Sequence, residues 1–211
     1  MTLGEALELI DEIAAEVLPP DVNVDYAGES RQLKAEGGDL VVTFFFALLV
    51  IFLVLAAQFE SFRDPLIILT TVPMSIAGAL IFISLGVTSL NIYTQVGLLT
   101  LIGLIAKHGI LIVEFANQLQ RQGHPLREAI EEAASLRLRP ILMTTTATVV
   151  AMVPLLMSTG AGAGSRFAMG LVIAAGMAIG TLFTLFVVPA IYTDLARDHY
   201  ADSLAATRSV P

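Results

Sequence analysis

The chain has 211 residues, 56% of them hydrophobic and 14% charged, with a mean hydropathy of +0.81, a balance that excludes an ordinary soluble domain and specifies an integral membrane protein. The net charge of −8 arises within residues 1–39, where ten acids face Arg31 and Lys34, while residues 40–211 balance nine acids against nine bases, which excludes a basic nucleic-acid surface. Without cysteine there are no disulfides, no thiol chemistry and no thiolate metal sites.

In chain order, Thr2 to Leu18 places Leu3, Ala6, Leu7, Ile10, Ala14 and Val17 on one helical stripe, with acids opposite. Thr2 and Glu5 fit a capping box, and Pro19-Pro20 ends the helix. This acidic, amphipathic start does not read as a signal peptide. Asp21 to Tyr26 then alternates polar and apolar residues like a strand. One helix and one strand cannot bury a core, so residues 1–39 read as the end of an αβ subdomain whose other strands lie elsewhere.

Residues 40–59 carry no charge, and twenty residues at helical rise match a bilayer core. The exit QFESFRDP at Gln58–Pro65 is aromatic and charged like an interfacial turn. The next 42 residues, Pro65 to Ala106, are again uncharged, too many for one span; the polar stretch Gly86–Asn91 divides them into spans at about 66–85 and 93–117. Residues 118–139 are a polar interruption in which Gly123 and Pro125 open a short amphipathic helix to about Leu136. Spans at about 140–159 and 167–192 follow, separated by the turn GAGAGS, and the polar tail 196–211 closes the chain. Gly176 and Gly180 form a small-xxx-small face suited to close helix packing. The expected fold is therefore an all-α membrane bundle of five helices, 40–195, with a short N-terminal αβ remnant. Under an outer N-terminus the inner segments hold seven basic residues (Arg63, Arg121, Arg127, Arg137, Arg139, Arg197, Arg208) and the outer ones three, which favours an inner C-terminus.

The third span carries Lys107, His108 and Glu114. An ammonium at membrane depth costs several kcal/mol and normally faces a partner inside a bundle. In that topology Lys107 lies about 21 Å and Thr144 about 22 Å from the outer ends of their helices, so the two can face each other. Three readings of Lys107 stand side by side: a structural lysine that snorkels or pairs with Glu114 one heptad along, a titratable relay in which a protonating carboxylate frees the lysine, and an enzymatic lysine, for which no nucleophile motif or phosphate loop is present. His108 points about 100° away from Lys107 and reads as a packing residue. Thr144, Thr145 and Thr146 can simply bond their own helix. No Asp or Glu occupies the central part of the other four spans, so the relay reading places its carboxylate on another segment or chain.

AKHGILIVEFANQ at Ala106–Gln118, LRLRPILMTT at Leu136–Thr145 and VPLLMSTGAGAGSR at Val153–Arg166 resemble the C-terminal third of resistance-nodulation-division efflux transporters of the hydrophobe/amphiphile branch, and LAAQFESFRDPLIIL at Leu55–Leu69 and LPPDVNVDYAGES at Leu18–Ser30 agree with the same family in the same chain order. The resemblance covers nearly the whole chain. It implies spans eight to twelve of a twelve-span proton antiporter, not an enzyme, in the inner membrane of a Gram-negative bacterium, with a periplasmic N-terminus and a cytoplasmic C-terminus. It also implies a trimer, homo- or heteromeric, joined to a periplasmic adaptor and an outer-membrane channel. Protons are the coupling ion and no other cofactor is expected. By the same resemblance Lys107 and Thr144 are relay residues, Arg137 stands at the cytoplasmic end of the proton path, and the aspartate pair belongs to a fourth span outside this chain. Glu114 and Thr145 are possible secondary polar contacts, and His108, where asparagine is also common, is given no role. The expectation is a fragment of an exporter of drugs or other amphiphiles; the alternative is a self-contained five-span protein that assembles with, or regulates, a larger membrane complex.

Overall fold

A computed structural model describes residues 3–19, 22–28, 30–31, 34 and 39–196. The helices are α1 (Leu3–Val17), α2 (Asp39–Phe59), α3 (Arg63–Leu69), α4 (Thr71–Ser84), α5 (Ile92–Arg121), α6 (Leu126–Leu156) and α7 (Ala163–Leu195). Five segments are long and apolar enough to cross a membrane: α2, α3 with α4, α5, α6 and α7. Large apolar side chains such as Phe45 (69% exposed) and Phe186 (75%) point outward from them. In water that surface would aggregate; in a bilayer it is the solvated face.

α3 and α4 form a single span bent at Thr70. Pro73 has no N–H for the Leu69 carbonyl, and the hydroxyls of Thr70 and Thr71 donate instead to the carbonyls of Ile67 (2.6 Å) and Ile68 (2.7 Å). α5 opens on a capping box, with Asn91 Oδ1 accepting from the Thr94 N–H (2.9 Å) and Thr94 Oγ1 accepting from the Asn91 N–H (2.8 Å). Its far end turns through Gly123 at φ +99°, a conformation glycine adopts without strain.

The polar interruption expected over 118–139 is not a separate segment. α5 runs on to Arg121, and α6 begins at Leu126 and continues through Pro140 to Leu156, 31 residues in one helix. Ala129, Ile130 and Ala133 are buried against the end of α5, so the amphipathic turn and the fourth span are one rod. Proline at position 140 costs one backbone hydrogen bond without ending the helix.

Of the helix and strand expected over residues 1–39, only the helix is found among the described residues. α1 forms, with the Tyr26 hydroxyl and the Lys34 ammonium both donating to the Asp11 carboxylate. Residues 22–27 carry no strand, and Asp21 lies outside the described residues. A strand needs a neighbouring edge to satisfy its ladder, and none is available among the described residues. The stripe of α1 is only partly covered, with Leu7 buried but Ile10 and Val17 exposed. Thr2, the expected cap, and the tail from Arg197 onward lie outside the described residues.

α7 is the hub of the bundle, packing against α3, α4, α5 and α6, whereas α2 leans mainly on α3 and α5. Two apolar clusters result. One, with Ile68, Ile112, Ala116, Ile130, Ile141 and Val188, lies toward the α5–α6 turn; the other, with Ala79, Leu101, Ile105, Val172, Ile173 and Met177, lies toward the opposite end. Gly176 and Gly180 sit where α7 comes closest to its neighbours. A Cβ at Gly176 would lie 2.2 Å from Leu101 Cδ2, and one at Gly180 would lie 2.2 Å from Ser75 Oγ and 2.8 Å from Ile105 Cδ1.

Candidate intramembrane polar site

Lys107 lies on the outward face of α5. Thr100, Gly103, Lys107, Glu114 and Gln118 share one exposed stripe, at intervals of three, four and seven residues. Among the described residues Lys107 makes no ion pair, with Glu114 or any other acid. Glu114 borders a cavity of about 200 Å³ with Gln58, Phe59, Asn117, Gln118 and Arg121. The structure therefore does not bring Lys107 to Thr144. It brings His108.

His108 is 1% exposed and points between the two apolar clusters. Its Nε2 is 3.3 Å from Thr144 Oγ1 on α6, and its Nδ1 is 3.4 Å from Thr181 Oγ1 on α7. Thr181 Oγ1 is in turn 2.9 Å from Thr145 Oγ1, and the Thr144 hydroxyl donates to the Ile141 carbonyl at 3.0 Å. Thr144 and Thr145 are adjacent on α6, so these contacts close a ring of four side chains across three helices. In a low-dielectric interior an unbonded imidazole is costly, and the threonines supply its partners.

Arg137 stands two turns before Thr144 on α6, with its guanidinium carbon 4.4 Å from the ring centre of Phe115. Its Nε is buried without a hydrogen-bond partner. The cation is thus held by an aromatic face of α5.

A second buried network links α3, α5 and α7. Asn117 Nδ2 donates to Asp64 Oδ2 (2.8 Å), the Tyr192 hydroxyl donates to Asn117 Oδ1, and Gln120 Nε2 donates to the Tyr192 oxygen (2.8 Å). Asp64 is 3% exposed, although its sequence neighbourhood reads as an interfacial turn. Sequence reasoning named Thr144 and Thr145 of the first network but gave His108 no role and missed Thr181, and it missed the second network altogether. The available signal was spacing: Asn117 and Gln120 stand one turn apart on α5, and Thr181 and Thr184 one turn apart on α7, polar residues on the inner faces of apolar helices.

Comparison with known proteins agrees with the family resemblance. The model of the AcrB/AcrD/AcrF family matches residues 1–196. The chain is 52% identical over 203 residues to an uncharacterized transporter of Haemophilus influenzae, covering 93% of this chain and 20% of that protein. It is 44% identical over 186 residues to the toluene efflux pump membrane transporter TtgB of Pseudomonas putida, covering 88% of this chain and 18% of TtgB. It is 40% identical over 190 residues to the multidrug resistance protein MdtF of Escherichia coli K12, covering 90% and 18% respectively. The chain spans about a fifth of the length of these relatives. A bundle of five membrane-crossing helices with buried polar layers, matched over residues 1–196, belongs to the AcrB/AcrD/AcrF family of transporters.

Proposed function

We propose that this chain is one wall of the transmembrane domain of a proton-coupled efflux transporter in the bacterial inner membrane, and that Lys107, Thr144 and Arg137 act in its proton relay. The observation that carries this reading is the outward stripe of α5. Elsewhere the exposed faces of the spans are mostly apolar, as at Phe45, Phe46, Leu182 and Phe186, but this stripe bears Thr100, Lys107, Glu114 and Gln118. A lysine and a glutamate facing lipid are unfavourable, so further helices cover the stripe and supply the anion for the lysine. A self-contained five-span protein would leave both charges against hydrocarbon.

In the mechanism, a carboxylate on the covering helices holds the Lys107 ammonium when ionised. Its protonation releases the ammonium, which turns toward the hydroxyl of Thr144, and the change of partner shifts α5 against α6. Arg137 keeps the inner end of the path positive. The names of the relatives, a toluene efflux pump membrane transporter and a multidrug resistance protein, support export of solvents and drugs as the activity of the complete protein, and the family resemblance supports its assembly as a trimer with a periplasmic adaptor and an outer-membrane channel. The bias of basic residues supports an outer N-terminus and an inner C-terminus.

The test is Lys107→Ala in the full-length transporter carrying this sequence, expressed in an efflux-deficient bacterium. Drug resistance is expected to disappear with the amount of membrane protein unchanged. Retained resistance would falsify the relay role of Lys107.

A further inference from the structure

We infer that His108 is a positioning residue for Thr144, an inference that rests on the relay reading above. Each threonine hydroxyl has one hydrogen to give, and a neutral imidazole has one N–H and one bare nitrogen. The Thr144 hydrogen is on the Ile141 carbonyl, 3.0 Å away. The contact between His108 Nε2 and Thr144 Oγ1 is therefore satisfied when Nε2–H donates. That leaves Nδ1 as an acceptor, which takes the Thr181 hydroxyl hydrogen, and the Thr145 hydroxyl donates to Thr181. Every hydrogen is used once and the chain of donors runs one way, Thr145 to Thr181 to His108 to Thr144.

The consequence falls on Thr144. Its hydrogen is fixed on its own helix and one lone pair is occupied by the imidazole, so its rotor is held at both ends. The remaining lone pair, on a side chain that is only half-buried, is the acceptor left for the ammonium. Lys107 is the residue beside His108 on α5 and approaches from the outward side. The ring thus preorganises the hydroxyl that the lysine must find, and Thr181 and Thr145 orient the ring from behind. The same ring ties α5 to α6 and α7 between the two apolar clusters, so the register of relay lysine and relay threonine depends on it.

The test is initial-rate export of ethidium by the full-length transporter in proteoliposomes under an imposed proton gradient. Replacing the ring by an apolar side chain, His108→Leu, is expected to lower kcat by about tenfold, the equivalent of one lost hydrogen bond, with KM for the dye within about twofold of native. His108→Asn restores one donor and one acceptor, and is expected to recover kcat to within about threefold of native. Thr181→Val keeps the ring and removes only its orienting hydroxyl; it moves kcat in the same direction, and serves if His108→Leu does not accumulate. A native kcat in His108→Leu, or in Thr181→Val where that variant stands in, overturns the inference, and so does an asparagine variant as slow as the leucine one. Lys107→Ala separates the two levels. If it exports normally the relay reading itself fails, whereas loss of export there with native rates in His108→Leu defeats only the role of the histidine.

Discussion

Asn117 stands at the centre of the second buried network, giving a hydrogen to Asp64 and taking one from Tyr192. Removing it strips a donor from a carboxylate that is 3% exposed, and a buried charge that loses a donor costs more than the bond itself is worth. Asn117→Ala is therefore expected to lower stability by about 2–3 kcal/mol. Asp64→Asn and Asn117→Ala together should cost less than their sum, with a coupling of about 1 kcal/mol or more in a thermal-unfolding double-mutant cycle. Strict additivity would show that the two side chains do not share an interaction. Outside the bilayer, the hydrogen bond from Lys34, followed by that from Tyr26, holds the Asp11 carboxyl below its ordinary pKa. A depressed carboxylate contributes its full stabilisation above its unfolded value, about 4, and loses it as the pH falls through the lowered folded value. The Tyr26 ring resonances are expected to stay constant at neutral pH and to move toward free-chain positions in acid; invariance down to full protonation would exclude the Asp11 contact.

At the scale of elements, the close approach of α7 sets the tolerance of each glycine. A methyl at Gly180 would meet Ser75 and Ile105 inside contact distance, while one at Gly103 would meet nothing within 4 Å. Gly180→Ala is accordingly expected to destabilise the bundle by about 1–3 kcal/mol. In Gly103→Ala the gain in helix propensity is unopposed in the free chain, and stability is expected to hold or rise by up to about 1 kcal/mol. Thermal unfolding in detergent distinguishes the pair, and equal effects would contradict this packing. The apolar lengths and the turn at Gly86–Asn91 were readable from composition and glycine placement, whereas the turn expected at Gly160–Ser165 comes earlier, α6 ending at Leu156 and α7 already beginning at Ala163. The fusion of the amphipathic segment with the fourth span was not, because charge falls off gradually across Arg137 and Arg139 while helical geometry continues regardless. The strand at the N-terminus failed for a different reason: alternation proposes a strand, and only a partner edge makes one.

For the molecule as a whole, the informative contrast is between its faces. Phe186 and Phe45 are exposed on surfaces that are otherwise apolar, whereas Gly103 is exposed on the stripe that carries Lys107. A nitroxide at Phe186→Cys in the full-length transporter is expected to collide freely with lipid-dissolved oxygen, and one at Gly103→Cys is expected to be shielded. Equal access at both would mean that lipid bathes the lysine, contrary to the proposed function. The lysine was legible in the sequence because a single charge stands out in an apolar helix. Its neighbour was not, since a lone histidine carries no spacing signal, and only the convergence of α5, α6 and α7 shows which residue reaches Thr144.

The unbroken course of α6 also has a mechanical side. At about 1.5 Å per residue its 31 residues make a rod of about 46 Å, longer than the hydrocarbon layer. Thr144 is anchored partway along, and the stretch from Leu126 to Leu136 continues the same helix, packed through Ala129, Ile130 and Ala133 against the end of α5. Because the helix runs through Pro140 without a break, a small tilt at mid-depth becomes a larger displacement at the membrane surface, where it is passed to the end of α5.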